Sequence, residues 1–386
     1  MKMWAVILAL AVGMALLPGF RDKAEITGKV VVTAIGVDPT GDGADMSQGY
    51  TVSVQAIETM KTSGSLTEQE DNATQVYTVE GRSIAGAIQA FATQTGRGTY
   101  ILHNRVVALG MEAAKSMPLP QLLDFFMRDH ESRPTVNMVI CRGKAEDLIR
   151  VPSPSYAVPA EQLANLLTEG EKRGECARAS LLDVERALSG MADAVIPIVR
   201  VEGEGEEATA VLDGAALFRD GVWAGELDAS AIRGYLFIRD RLDNCLYVLD
   251  TDEGQVTVEI NAADIRITPT RTGQTVRYSL RAECGAEIRE EYGNFPLDTV
   301  RLQDIQQRLE RIVEADMRAA VESSVNVYGC DILALGRLTM QRLPSVIRGF
   351  EKEWPEKLRE CSYAYQASVT IDRSGMTAEE KIRPAV

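Results

Sequence analysis

Alternation of apolar and polar residues predicts a chain rich in short strands. Residues 29–38 contain many β-branched side chains, and residues 50–57 alternate with the period of two that is typical of a strand. Asp220-Gly221 separates two more such segments, 210–218 and 222–226, and is a turn signal typical of a β-hairpin. The same reasoning predicts strands at residues 75–79, 99–103, 105–109, 135–141, 195–201, 245–249, 255–260, 264–268, 275–286 and 362–371.

Apolar residues spaced three to four apart predict the helices. Ser83 is placed to cap a helix that runs to residue 95, and Asp228 to cap another that runs to residue 238. The longest helix is predicted to start near residue 297, with an apolar stripe between Ile305 and Val321. Shorter helices are predicted at residues 120–128, 144–149, 160–171 and 179–188. Because strands and helices mix without a regular βαβ rhythm, the predicted fold class is α+β, with mixed or antiparallel sheets packed against helices.

The domain organisation follows from the length of the chain and from one candidate linker. A chain of 386 residues exceeds one ordinary domain. Residues 202–208 are acidic and rich in glycine, which is typical of a linker. We therefore predict an apolar signal or anchor segment at residues 1–20, an N-terminal α+β domain at 21–201, a β-rich middle domain at 209–286, a C-terminal α+β domain at 287–376 and a tail at 377–386.

The N-terminal segment carries no charge between Met3 and Phe20, and one lysine, Lys2, precedes it. Its length approaches the roughly 20 residues that cross a bilayer, so it is predicted to be an export signal or a membrane anchor. A buried core helix is the alternative. The sequence around Leu17 and Phe20 offers a poor site for a signal peptidase, which wants small residues.

Composition narrows the classes of function. The net charge of −15 opposes binding to nucleic acid, and no basic stripe offsets it. The six cysteines include no closely spaced pair, so a zinc site is not expected, and most are predicted to be buried thiols.

Candidate catalytic chemistry is sparse. Only two histidines are present, so a hydrolytic triad or a histidine metal cluster would have to use His103 or His130. His103 is expected to be a structural histidine on a strand, and His130 to lie at a solvated helix end. Ser83 lies in a segment that departs from the Gly-x-Ser-x-Gly elbow at its last position, and residues 250–254 are better read as a turn than as a calcium loop. We therefore predict no catalytic residue, no metal site and no cofactor.

Several short segments, taken together and in order, resemble the Ger(x)C family of spore germination proteins. They begin with Asp22 and Glu25 just after the apolar run and continue through Ala34-Ile35-Gly36-Val37-Asp38. The others are residues 78–84, 103–110 (from His103), 122–129, 214–227, 232–234 and 328–336 (with Asp331 and Gly336), followed by Trp354. The order and spacing of the set, from residue 20 to about 376, make the resemblance specific.

The resemblance implies a non-enzymatic, lipoprotein-type subunit of a nutrient germinant receptor. Such subunits resemble three α+β domains held on the outer face of the spore inner membrane. The partners it implies are two integral-membrane subunits, one of them transporter-like, and the ligand site in the family is placed on the transporter-like partner. In this chain we single out Asp22, Glu25, His103, Asp331, Gly336 and Trp354 as structural or interface positions.

The chain departs from the family at Phe20, which stands where the lipid-modified cysteine is expected. A phenylalanine has no thiol to acylate, so the hypothesis is that Met3 to Gly19 stays as an uncleaved anchor. Two other functions remain open: a free-standing extracytoplasmic module that binds a solute or a wall fragment, and a cell-wall hydrolase. A hydrolase would need a paired-carboxylate cleft, which a sequence does not display.

Overall fold

Two β-sheets organise the protein, one in each of two lobes. The computed structural model describes residues 29–41, 49–57, 74–251, 254–273, 275–293, 299–350 and 353–372. Both sheets are packed against helices, so the predicted α+β class is confirmed.

The first lobe is built on a mixed ten-stranded sheet. Its main strand order is β10-β9-β8-β6-β5-β1-β2-β3, with β4 beside β1 and β7 beside β6. Strands β1, β5, β6 and β8 are mutually parallel at the centre, and antiparallel pairs flank them. The strands are β1 Lys29–Pro39, β2 Tyr50–Ile57, β3 Thr74–Gly81, β4 Gly98–Tyr100, β5 Val106–Gly110, β6 Asn137–Cys141, β7 Ala179–Ser180, β8 Ala194–Glu202, β9 Thr209–Arg219 and β10 Val222–Leu227.

Helices cover both faces of this sheet, because its central strands are apolar on both sides. Val107 and Leu109 of β5 face one apolar cluster, and Val106 and Ala108 of the same strand face the other. One face is covered by α1 Ile84–Thr95, α2 Met111–Ser116, α3 Leu119–Arg128 and α6 Leu181–Ser189, and the other by α4 Ala145–Ile149 and α5 Pro159–Lys172.

The second lobe packs helices on one face of a four-stranded sheet. Its strand order is β11-β12-β13-β14, and the last pair is parallel. Residues such as Val258 and Leu280 meet the apolar stripe of the long helix, including Leu309 and Val313, in one core. The elements are α7 Ala229–Ile238, β11 Cys245–Thr251, β12 Gly254–Thr272, β13 Thr275–Gly293, α8 Thr299–Val321, a π-helical extension Glu322–Val327, α9 Leu335–Arg342, α10 Pro344–Ile347, α11 Trp354–Leu358 and β14 Ser362–Asp372.

The domain boundaries drawn from the sequence differ from the structure. The predicted linker at residues 202–208 is a loop that joins the adjacent antiparallel strands β8 and β9, with a 3-10 turn at Gly205–Glu207. The hairpin that follows it completes the first sheet, because β8 needs a partner on that edge and pairing buries Leu217 and Phe218. The boundary between residues 286 and 287 falls inside β13, which pairs with β14 beyond that point.

Some local predictions are confirmed and others are wrong. Ser83 and Asp228 accept hydrogen bonds from the backbone N–H groups of the first turns of α1 and α7, as predicted for helix caps. The two strands predicted at residues 255–260 and 264–268 are one strand, since a register shift after Ile260 keeps the chain paired with β13 where a turn was expected.

The N-terminal segment lies outside the described residues, and so does the C-terminal tail from residue 373. None of the helices in the described ranges is long and apolar enough to cross a membrane. All six cysteines are free thiols and five are buried, which confirms the prediction made for most of them.

Candidate functional site at the junction of the two lobes

Two aspartates tie the lobes together. Asp331 lies just before α9 in the second lobe, and Asp193 lies just before β8 in the first. The backbone N–H of Asp331 donates to the Asp193 carboxylate at 2.7 Å, and the backbone N–H of Asp193 donates to the Asp331 carbonyl at 3.0 Å. The other Asp193 oxygen accepts from the N–H of Asp220, in the β9–β10 turn, at 3.0 Å. This exchange fixes three segments from both lobes against one another.

The Asp331 side chain caps α9 from inside the protein. Its two oxygens accept from the backbone N–H groups of Leu335 and Gly336 at 2.8 and 2.7 Å, and the residue is only 4% exposed. Burial raises the pKa of Asp331 to about 7, although the two N–H donors favour the ionised form. The negative charge of Asp193 raises it further, and Arg239 lowers it. Burial likewise raises the pKa of Asp193.

Trp354 closes this site against Gly336. The indole is 3% exposed, and a Cβ atom at Gly336 would lie 2.7 Å from its Cδ1 atom and 3.2 Å from an oxygen of Asp331. Only glycine therefore lets the tryptophan pack on the start of α9. Three of the residues singled out from the sequence, Asp331, Gly336 and Trp354, are thus brought together in one place.

A second buried polar cluster holds the helices of the second lobe. The carboxylate of Asp316 in α8 accepts from Ser230, Arg233 and Tyr247 at distances of 2.5, 3.0 and 3.1 Å. A Cβ atom at Gly234 would lie 1.8 Å from the backbone oxygen of Asp316, so α7 and α8 cross at a contact that only glycine permits. This explains the segment that resembles the family at residues 232–234.

The other singled-out residues lie elsewhere. His103 is exposed on a 3-10 turn, Ile101–His103, and its ring lies tilted against that of Tyr100 with the ring centroids 5.5 Å apart. The predicted structural histidine on a strand is therefore wrong, because β4 ends at Tyr100 and the chain turns. Phe20, Asp22 and Glu25 lie outside the described residues.

One buried carboxylate, at the end of the strand predicted for residues 29–38, was not singled out as a site residue from the sequence. Asp38 is the next-to-last residue of β1, and its two oxygens accept from the N–H groups of Ala145 and Glu146 at 2.8 and 3.0 Å, which caps α4. Burial raises the pKa of Asp38, and these two N–H donors oppose the shift. Its signal in the sequence was an aspartate that directly ends an apolar strand, a position that favours a role at a neighbouring element.

An apolar cavity of about 260 Å³ lies in the first lobe, between the sheet and helix α5. Ile149, Tyr156 and Leu163 contribute to its walls, and Gln55 contributes a polar group. The Gln55 amide is already satisfied, because it donates to the carbonyl of Ile149 at 3.1 Å and accepts from the N–H of Ala160 at 3.1 Å. Gln162, Asn165 and Glu169 also line the cavity, so it is suited to a mainly apolar molecule that carries a polar group.

The two carboxylates at the junction have a structural role. Both oxygens of Asp331 and both oxygens of Asp193 accept from backbone N–H groups, so these carboxylates hold the chain in place. Within the described ranges, no group of three or more His, Cys, Asp or Glu side chains is arranged to hold a metal ion.

Comparison with known families gives two matches that follow each other along the chain. The model of the spore germination protein N-terminal domain matches residues 22–201. The model of the C-terminal domain of spore germination B3 and GerAC-like proteins matches residues 213–375.

Individual proteins agree with these matches. Spore germination protein KC of Bacillus subtilis is 24% identical over 398 residues, which cover 96% of this chain and 95% of that protein. Spore germination protein B3 of the same organism is 22% identical and covers 72% of this chain and 75% of its own length. The crystal structure of the GerBC protein superimposes with a TM-score of 0.58 at 17% identity, and covers 87% of this chain and 96% of that one. That likeness shows a shared fold.

Proposed function

Because this chain belongs to the spore germination GerAC family, we propose that it is a non-enzymatic, membrane-anchored subunit of a spore nutrient germinant receptor. In this proposal it assembles with two integral-membrane subunits, one of them transporter-like, on the outer face of the spore inner membrane. The observation that carries the proposal is the match to spore germination protein KC along 96% of the chain, with both family domains in order.

The geometry supports a subunit that works as one rigid body. The Asp193–Asp331 exchange and the shared core around Leu217, Tyr235 and Leu309 join the two lobes. A body with fixed lobes presents its surfaces to partners in constant relative positions, which favours assembly over a hinged enzyme cleft.

The proposed anchor is the segment from Met3 to Gly19. Phe20 stands where the family carries the cysteine that is lipid-modified, so attachment has to come from the retained apolar segment. Mass spectrometry of the intact N-terminus tests this step by itself: residues 1–20 present and unmodified support it, and a lipid adduct or a cleaved N-terminus overturns it.

The receptor proposal is tested by purifying the chain from spore inner membranes in mild detergent and identifying what comes with it. We expect two polytopic membrane proteins in fixed ratio. The chain recovered alone from the same membranes would contradict the proposal, and an unrelated anchored protein from the same extract serves as the control.

A second candidate function is a free-standing module that binds a small apolar solute, and the apolar cavity beside α5 favours it. This candidate predicts saturable binding of an apolar amino acid by the isolated chain. It also predicts loss of that binding in a Leu163→Trp variant, which fills the cavity. Absence of any such binding would leave the receptor subunit as the only proposal.

A further inference from the structure

Five arginines line one small cavity at the seam between the lobes. Arg178 and Arg186 come from the first lobe, and Arg239, Arg241 and Arg337 come from the second. The cavity has a volume of about 140 Å³. It lies beside the junction described above, since Asp193 contributes to its wall.

Two of these arginines form ion pairs with the largely buried carboxylate of Glu171. Glu171 at the end of α5 pairs with Arg241 at 2.6 Å and with Arg178 at 3.3 Å. Arg178 also donates to the amide oxygen of Asn137 at 3.4 Å. These contacts fix the two guanidinium groups in place before any ligand arrives, which is the arrangement of a preorganised site.

The other three arginines are not held by contacts of this kind, although the positive charge of Arg239 acts on the buried carboxylate of Asp331. The side chains of Arg186, Arg239 and Arg337 make no hydrogen bond and no ion pair with any residue in the described part of the chain. All three are exposed. Their donors are therefore available to a ligand in the cavity.

The acidic residues of the wall offset only part of this charge, since the carboxylate of Asp183 interacts with Arg241 and Arg178. Asp183 accepts from the hydroxyl and the N–H of Ser180 as part of the cap of α6, and Asp193 accepts from the N–H groups of Asp331 and Asp220. With five arginines and two aspartates in the wall and Glu171 paired behind two of the arginines, the group carries a formal charge of +2. In a chain of net charge −15, this concentration of positive charge is local to the cavity.

We propose that this cavity binds a small oxyanion that carries two or more negative charges, such as phosphate or a short dicarboxylate. The planar guanidinium group donates two parallel hydrogen bonds to such oxygens, and several groups converge here from both lobes. The volume equals that of about four or five water molecules, which suits an anion of this size. Because each lobe contributes arginines, the bound anion bridges them.

The experiment is a calorimetric titration of the full chain in mild detergent with inorganic phosphate and, separately, with malonate, at constant ionic strength set with sodium chloride. We expect saturable binding of at least one of them with Kd below about 1 mM. The Arg239→Gln/Arg337→Gln variant should bind at least about tenfold more weakly. Arg82→Gln is the control, because Arg82 is exposed in the turn before α1 and its variant should bind within about twofold of the parent chain.

The proposal is overturned if neither anion binds saturably at about 10 mM, or if binding is unchanged in the double variant. Equal weakening by Arg82→Gln also overturns it, since the effect would then be one of overall charge. Circular dichroism checks the fold of each variant. If the double variant does not fold, Arg186→Gln alone replaces it, with the same expected direction. The titration needs only this chain, so its outcome does not depend on receptor assembly.

Discussion

Asp331 is ionisable, buried and directly bonded to the backbone of both lobes, so its protonation is linked to folding. Its folded-state pKa of about 7 lies above the ordinary value of 3.8. A carboxyl group shifted upwards contributes its full stability below the unfolded pKa and loses that contribution as the pH rises through the folded value. The window in which this residue weakens the fold is therefore from about pH 4 to about pH 7.

An Asp331→Asn variant tests this linkage. Over that window we expect the free energy of unfolding of the parent chain to fall relative to the variant, by on the order of 4 kcal/mol. Urea unfolding at a series of pH values measures the difference. Asp220→Asn is the matched control, because Asp220 lies at the same junction and joins it through its backbone N–H, which the substitution keeps. Parallel curves for the parent chain and Asp331→Asn would contradict the prediction.

Gly336 carries the packing of Trp354, so a methyl group there should be costly. A Gly336→Ala variant places its Cβ atom 2.7 Å from the indole, and we expect a loss of about 1–3 kcal/mol in the free energy of unfolding. A red shift of tryptophan fluorescence should accompany it as the indole moves towards water. Gly143→Ala is the control, because its Cβ atom would meet nothing closer than 3.6 Å. Equal losses in the two variants would argue against the close packing.

Sequence analysis singled out Asp331, Gly336 and Trp354, but it did not predict that they lie together in the structure. Asp331 and Gly336 lie five positions apart, so their closeness at a helix start was within reach of sequence reasoning. Trp354 meets them only through the path of α9 to α11, and Asp193 comes from more than a hundred residues away. Contacts at such separations depend on the packing of whole elements, which local pattern does not determine.

At the scale of elements, the crossing of α7 and α8 depends on one buried ion pair. Arg233→Ala leaves the Asp316 carboxylate, 4% exposed, without its charged partner. We expect a loss of about 3 kcal/mol in the free energy of unfolding, because an unpaired charge inside a protein is poorly solvated.

The control for this prediction is Arg308→Ala in α8, the helix that carries Asp316. Arg308 pairs with Asp304 at 2.7 Å near the surface, and an exposed pair of this kind contributes less than about 1 kcal/mol. Chemical denaturation followed by circular dichroism compares the two variants. Similar losses in both would show that the Asp316 cluster contributes no more than a surface pair.

Whether a segment forms a helix, strand or turn was more predictable than which other element it pairs with. The caps at Ser83 and Asp228 and the Asp220-Gly221 turn are local signals, and the structure has all three. The assignment of residues 202–208 to a linker failed because acidic and glycine-rich residues also suit a loop between paired strands. Strand β9 pairs with β8 because the edge of β8 is open. That edge exists only once the rest of the first sheet has formed.

At the scale of the whole molecule, the first sheet continues past the end of the first family match. Strands β9 and β10 are residues 209–227, and that match ends at residue 201. A fragment of residues 29–201 would therefore leave the apolar edge of β8 unpaired. We expect it to aggregate, and a fragment of residues 29–228 to remain monomeric with the circular dichroism spectrum of a mixed helix-and-strand fold.

Size-exclusion chromatography of the two fragments under identical conditions decides this prediction. The longer fragment is the matched partner of the shorter one, since they differ only in the β9–β10 segment and the loop before it. If both elute as folded monomers, the hairpin is dispensable for the first lobe, and the boundary predicted from the sequence is a workable one.

The buried cysteine thiols can report on local opening of the two β-sheets. Burial raises the pKa of Cys141 to about 11 and that of Cys284 to about 11, and thiolates are the form that alkylating reagents attack. Cys141 lies in β6 of the first sheet, and Cys284 lies in β13 of the second. The rate at which each thiol is alkylated therefore measures how often its own sheet opens. Mass spectrometry of pulse-labelled spores could then follow both lobes through germination without any introduced probe.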